Sequence, residues 1–136
     1  MANIEVKLTD NSREVLEDLA RKKPKALEMI GLTAEGYAKR LCAVDTGRLR
    51  NSITHATSTS GGIGTYNDNE GNRYSDASAK STPEEDSVYI GTNVEYAPYV
   101  ELGTVRTPAQ PFLRPAAADH IEQYKSIIRR VMKDEL

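Results

Sequence analysis

Over the first third of the chain, apolar residues recur at three- and four-residue steps: Leu16, Leu19, Leu27, Ile30, Ala34, Tyr37, Leu41 and Val44. That spacing lines one face of an α-helix and predicts a helical segment over 12–44. Thr9-Asp10-Asn11-Ser12 offers side-chain acceptors for its start, and Asn11 and Glu14 have capping-box spacing. Pro24 interrupts the pattern. It lacks an N–H and crowds the preceding turn, so a kink, or a second helix starting there, is expected. Upstream, Ile4, Val6 and Leu8 alternate with Glu5 and Lys7, the period of a strand with one buried face.

Asp45-Thr46-Gly47 ends the helical pattern, and Gly47 suits the left-handed geometry of a helix exit. Ile53 to Ser58 has strand composition, as has Val88-Tyr89-Ile90, and Ile63 to Tyr66 fits a short hairpin strand. From Asn67 to Asp86 the chain is polar and net acidic, with no alternating face. A long mobile loop is expected at about 67–86. Tyr96 to Leu102 reads as one or two helical turns, and Gly103 to Pro111 as extended. A last helix is expected from about Leu113 to Lys133, with Leu113, Ala117, Ile121, Tyr124, Ile128 and Val131 as its apolar stripe. The sum is an α+β fold in a single domain, 1–136. A small, mostly antiparallel sheet from 4–8, 53–58, 63–66 and 87–92 is covered on one face by helices 12–44 and 113–133.

A chain of 136 residues can bury roughly two thirds of its unfolded surface without staples. Only 38% of it is hydrophobic, with no Trp and one Phe, so part of it should lie outside the core. Phe112 follows Pro111 at the head of the last helix and is the expected anchor of that helix. The lone Cys42 sits in an apolar stretch and reads as a small core residue in a reduced, cytoplasmic setting. The start of the chain lacks the basic and apolar pattern of a signal peptide, and no stretch has the apolar length of a membrane span. A net charge of −2 gives no general attraction to nucleic acid.

No catalytic, cofactor or metal set stands out. Asp45-Thr46-Gly47 matches the catalytic tripeptide of aspartic proteases, in which two subunits or lobes each supply one carboxylate. That chemistry needs a strand-flanked loop, whereas Tyr37 to Val44 has helical spacing and Arg48 follows the glycine. A dimeric protease is therefore an alternative reading and not the favoured one. A small DNA-binding regulator is the other; it would need a basic face built from Lys22, Lys23, Lys25, Lys39 and Arg40. Gly61-Gly62-Ile63-Gly64 has no following Gly-Lys-Ser/Thr and reads as a hairpin or arm. His55 and His120 have no partners at ligand spacing in the sequence. Asp68, Glu70, Asp76 and Glu84-Glu85-Asp86 lack the alternate spacing of a calcium loop and read as solvated charges.

Three separated clusters carry more information together. They are Asp45-Thr46-Gly47-Arg48-Leu49-Arg50-Asn51-Ser52-Ile53; then Tyr89-Ile90-Gly91-Thr92-Asn93, running on through Tyr96-Ala97-Pro98-Tyr99-Val100-Glu101-Leu102-Gly103-Thr104; and Pro111-Phe112-Leu113-Arg114-Pro115-Ala116. In this order and spacing the chain, from about Val15 to Val131, resembles the neck proteins of tailed phages and prophages, small head–tail joining or tail-completion proteins described as minor tail or minor capsid components. The resemblance implies a structural subunit and not an enzyme, without cofactor or metal. It implies self-association into a ring, contact with other neck, portal-side or tail proteins, and DNA that passes through without being specifically bound. It implies no membrane partner, and a protein made in the bacterial host cytoplasm and carried in the virion. The candidate contact residues are Asp45, Thr46, Gly47, Arg48, Leu49, Tyr96, Tyr99, Glu101, Gly103, Phe112, Leu113 and Arg114. Arg48 and Glu101 are expected to be exposed, and sheet edges and the loop from Tyr96 to Pro115 are expected to make head-to-tail contacts.

Overall fold

In a computed structural model, residues 10–58, 63–78 and 86–134 are described. Among them, the chain runs α1 (Ser12–Leu41), α2 (Arg48–Ser52), β1 (Thr54–Ala56), β2 (Ile63–Asn67), β3 (Arg73–Ser78), β4 (Tyr89–Gly91), α3 (Ala97–Leu102), α4 (Leu113–Ala118) and α5 (Ile121–Met132). The fold is α+β, as the patterning predicts. The expected strand at 4–8 lies outside the described residues.

α1 continues unbroken across Pro24, with no second helix starting there. The turns around the proline are fastened from outside. Lys22 Nζ donates to the Met132 carbonyl at 3.0 Å and pairs with Asp134 at 3.0 Å, and Ala26 and Ile30 pack on Ile127 and Val131 of α5. Tertiary contact thus offsets the missing hydrogen bond. The buried face keeps Ile30 and Ala34 of the predicted stripe, with Leu27 and Tyr37 half-buried, but not its outer large side chains. Ala26, Ile30, Gly31, Ala34 and Ala38 face inward, whereas Leu16, Leu19, Leu41 and Val44 are exposed. Small residues let β1 come close: a Cβ on Gly31 would lie 2.5 Å from His55 Cδ2.

Among the described residues the expected single sheet is two separate two-stranded antiparallel sheets. β1 pairs with β4 in the register Thr54–Gly91, His55–Ile90, Ala56–Tyr89. β2 pairs with β3, with an irregularity between Gly64 and Tyr66. Residues 67–78, expected as part of a loop, therefore close a hairpin, and 79–85 lie outside the described residues. The device is Asp68. Its Oδ1 accepts the Glu70 and Asn72 backbone N–H groups at 2.9 Å, and its Oδ2 accepts Asn72 Nδ2 and the Tyr74 hydroxyl at 3.1 Å. An aspartate that builds its own turn needs no apolar alternation to mark it.

The expected last helix is likewise two, broken at Asp119-His120. His120 stacks on Tyr37 of α1, ring centroids 3.6 Å apart, and the Tyr124 hydroxyl donates back to the Ala116 carbonyl across the break. One core joins Ala38, Cys42, Leu49, Ile53, Val94, Ala97, Phe112 and Ala116; a smaller one joins α1 to α5.

Candidate functional site

The three sequence clusters meet in the larger core. Leu49 and Ile53 come from the first, Val94 and Ala97 from the second, and Phe112 and Ala116 from the third. Phe112 is completely buried. Their polar members then lock the assembly from its rim. Gly47 holds φ at +84° at the start of α2, and a Cβ there would meet the Asn69 side chain at 2.7 Å. The Thr46 carbonyl accepts the Asn69 N–H at 2.7 Å, and Asn51 Nδ2 donates to the Asn67 carbonyl at 2.8 Å. These contacts seat the β2–β3 hairpin on the Asp45–Arg48 turn.

Arg48 is half-buried and not the free surface charge expected. Both terminal nitrogens pair with Glu95, each at 3.1 Å, and the guanidinium lies 4.4 Å from the Tyr74 ring centroid and 5.6 Å from that of Tyr96. Bidentate pairing and ring stacking on one planar cation tie hairpin, α2 and α3 together. Glu101 is half-buried too. Its Oε2 accepts the backbone N–H groups of Phe112 at 2.7 Å and Leu113 at 3.0 Å, and its Oε1 that of Arg114 at 2.9 Å. A carboxylate at this end satisfies donors that a helix leaves unpaired. Burial alone would raise its pKa, but the three N–H donors outweigh it and hold the group below its usual 4.5.

Beyond Glu101 the chain turns at Gly103, φ +78°, where a Cβ would lie 2.7 Å from the Ala109 nitrogen. Thr104 N donates to the Thr107 carbonyl at 2.8 Å, and Thr104 Oγ1 accepts the N–H of Arg106 at 3.3 Å and of Thr107 at 3.0 Å. Tyr99, Leu102 and Val105 stand exposed along α3 and this turn. On one side of α3 lies a groove of about 240 Å³, whose walls include Val44, Leu49, Tyr96 and Val100 and which Asp45 also lines. On the other, Pro98, Leu102 and Leu113 border a shallower depression.

Of the residues expected to make contacts, Asp45, Tyr99 and Arg114 are exposed; Thr46, Arg48, Tyr96, Glu101, Gly103 and Leu113 are half-buried; Gly47, Leu49 and Phe112 are buried. Leu102, Val105 and Arg106 were missing from that set. A β-branched apolar residue inside the turn-forming run Gly103-Thr104-Val105-Arg106-Thr107-Pro108 was the available signal.

The groups weighed for other chemistry do not form a catalytic set. Asp45 lies between two helices and not in a strand-flanked loop. His55 sits between two carboxylates of α1, its Nε2 2.7 Å from Glu28 and its Nδ1 3.4 Å from Glu35. Burial pushes the Cys42 thiol up to about 11, with Arg50 pulling the other way, so at neutral pH it is protonated and a poor nucleophile. Among the described residues no group of His, Cys, Asp and Glu is arranged to hold a metal ion, and no helix is long and apolar enough to cross a membrane.

Fold and site together define a small α+β fold whose marked residues pack in the core, make turns or stand exposed. The chain belongs to the HK97-gp10-like family, described as "Bacteriophage HK97-gp10, putative tail-component", whose model matches residues 7–103. That span holds the first two clusters up to Gly103; the third lies beyond it. No curated protein and no solved structure gives a significant match.

Proposed function

We propose that this protein is a structural subunit of the head–tail connector or tail-completion region, and that several copies assemble as a ring around the DNA channel. Membership in a family of phage tail components supports a structural part in the virion. The observation that carries the reading further is the exposed apolar ridge of Tyr99, Leu102 and Val105 on a hydrogen-bonded support. A fold whose core takes several alanines while Leu102, Val105 and Tyr99 stay outside is suited to burying them against other protein. Asp45, Thr46, Tyr96, Tyr99 and Arg114 supply surface in this reading. Gly47, Arg48, Leu49, Glu101, Gly103, Phe112 and Leu113 hold that surface in shape. The copies contact each other and neighbouring neck, portal-side or tail proteins, and DNA passes without specific binding. The protein is made in the host cytoplasm and retained in the particle. Gold-labelled antibody on purified virions tests the placement: label at the head–tail junction is expected, and label confined to the tail tip or absent from the particle overturns it.

A further inference from the structure

We propose that the Thr104–Thr107 turn of one copy docks in the groove beside the Asp45 turn of a second copy, with Val105 in the groove and Arg106 paired with Asp45. The inference rests on the self-association reading and names the contact within it.

The turn is a preorganised knob. Three hydrogen bonds close it on Thr104, and Gln110 N donates to the Val100 carbonyl at 2.8 Å behind it. Little freedom is left to lose on docking. Val105 at its tip is fully exposed, so it does not fill the groove of its own chain. The groove, about 240 Å³, is lined by Val44, Leu49, Tyr96 and Val100 and has room for a branched side chain. Charge completes the match. The Asp45 carboxylate and the Arg106 guanidinium are both exposed, and neither has a hydrogen bond or ion pair among the described residues. An apolar–cationic dipeptide thus faces a groove with an apolar wall whose lining carries the Asp45 carboxylate, the other charge there, Arg48, being held by Glu95, and one sequence supplies both halves. That makes a second copy the fitting occupant. A contact this small falls well below the ~1,000 Å² of a stable pairwise interface, so it holds only where other contacts raise the effective concentration.

The test uses particles carrying Cys42→Ala with Val44→Cys and Val105→Cys, oxidised and run without reductant. A disulfide needs Cβ atoms within about 4.5 Å, so a bond reports the docked pair. A ladder of covalent multimers is expected, with none from Leu32→Cys with Val105→Cys on the same background. Bonded dimers without higher multimers support the docking and contradict the ring. No bond in particles that contain the protein, or a bond only to a different protein, overturns the docking and leaves the ring standing. A second arm reverses charge. Asp45→Arg or Arg106→Asp alone should lower the yield of joined particles about tenfold, since like charges brought together are costly. Both together should restore it to within about twofold; failure of the pair to restore it overturns the Asp45–Arg106 contact.

Discussion

Glu101 and Phe112 act as one device at the residue scale. The phenyl ring fills the core, and the carboxylate, eleven positions earlier, holds the backbone that carries it. Truncating a buried Phe costs about 3–5 kcal/mol. Phe112→Ala should lower the denaturant midpoint by a corresponding amount, and an unchanged midpoint would contradict its place in the core. Glu101 makes stability depend on pH with a fixed sign. Its pKa in the fold lies below the usual 4.5, so its contribution is complete above about pH 4.5 and is lost as pH falls through the folded value. The thermal midpoint of the natural protein should exceed that of Glu101→Gln at pH 7, and the gap should close as the pH is lowered through the folded value below 4.5. A gap independent of pH would remove the carboxylate from the account. The importance of Phe112 was legible from its neighbours Pro111 and Leu113. The roles of Arg48 and Glu101 were not. A sequence displays a charge but not a partner 47 positions away, as with Glu95, or the backbone donors 11 to 13 positions away.

Element existence is legible where one periodicity governs a long segment, and element limits are not. α1 shows why. The apolar stripe in its sequence includes residues that stay outside, because the inward face is chosen by close approach and not by size. Gly31→Ala brings a methyl to 2.5 Å from the His55 ring. Overpacking of this kind costs about 1–3 kcal/mol, and a thermal midpoint equal to that of the parent would show that α1 and β1 can separate freely. The break between α4 and α5 rests on Tyr37 and His120, 83 positions apart, which no local pattern records. The first strand of the hairpin is legible at Ile63 to Tyr66, but its return strand β3 is not, for a third reason: the loop is closed by the four contacts of Asp68 and the seat on the body is polar. Asp68→Ala should speed amide exchange over 64–75 while leaving α1 and α5 protected. Equal acceleration everywhere would mean that the hairpin and the core unfold as one.

At the scale of the whole molecule, the three clusters that suggested a phage neck protein are also the walls of its main core, and that coincidence explains why spacing alone was informative. Residues far apart in sequence must keep their order and type to meet as Leu49, Val94, Ala97, Phe112 and Ala116 do. The contact surface was only partly legible, since burial decides which member of a cluster is left to touch a partner. Leu49 and Phe112 turned inward, whereas Leu102 and Val105 turned outward. The fold therefore offers a hydrogen-bonded framework with an apolar ridge, which we propose serves in joining heads to tails. Electron microscopy of lysates from an induced host that lacks only this protein tests that claim most directly. The account predicts filled heads and finished tails lying apart, rejoined when the protein is supplied in trans. Joined, infectious particles in its absence would contradict it.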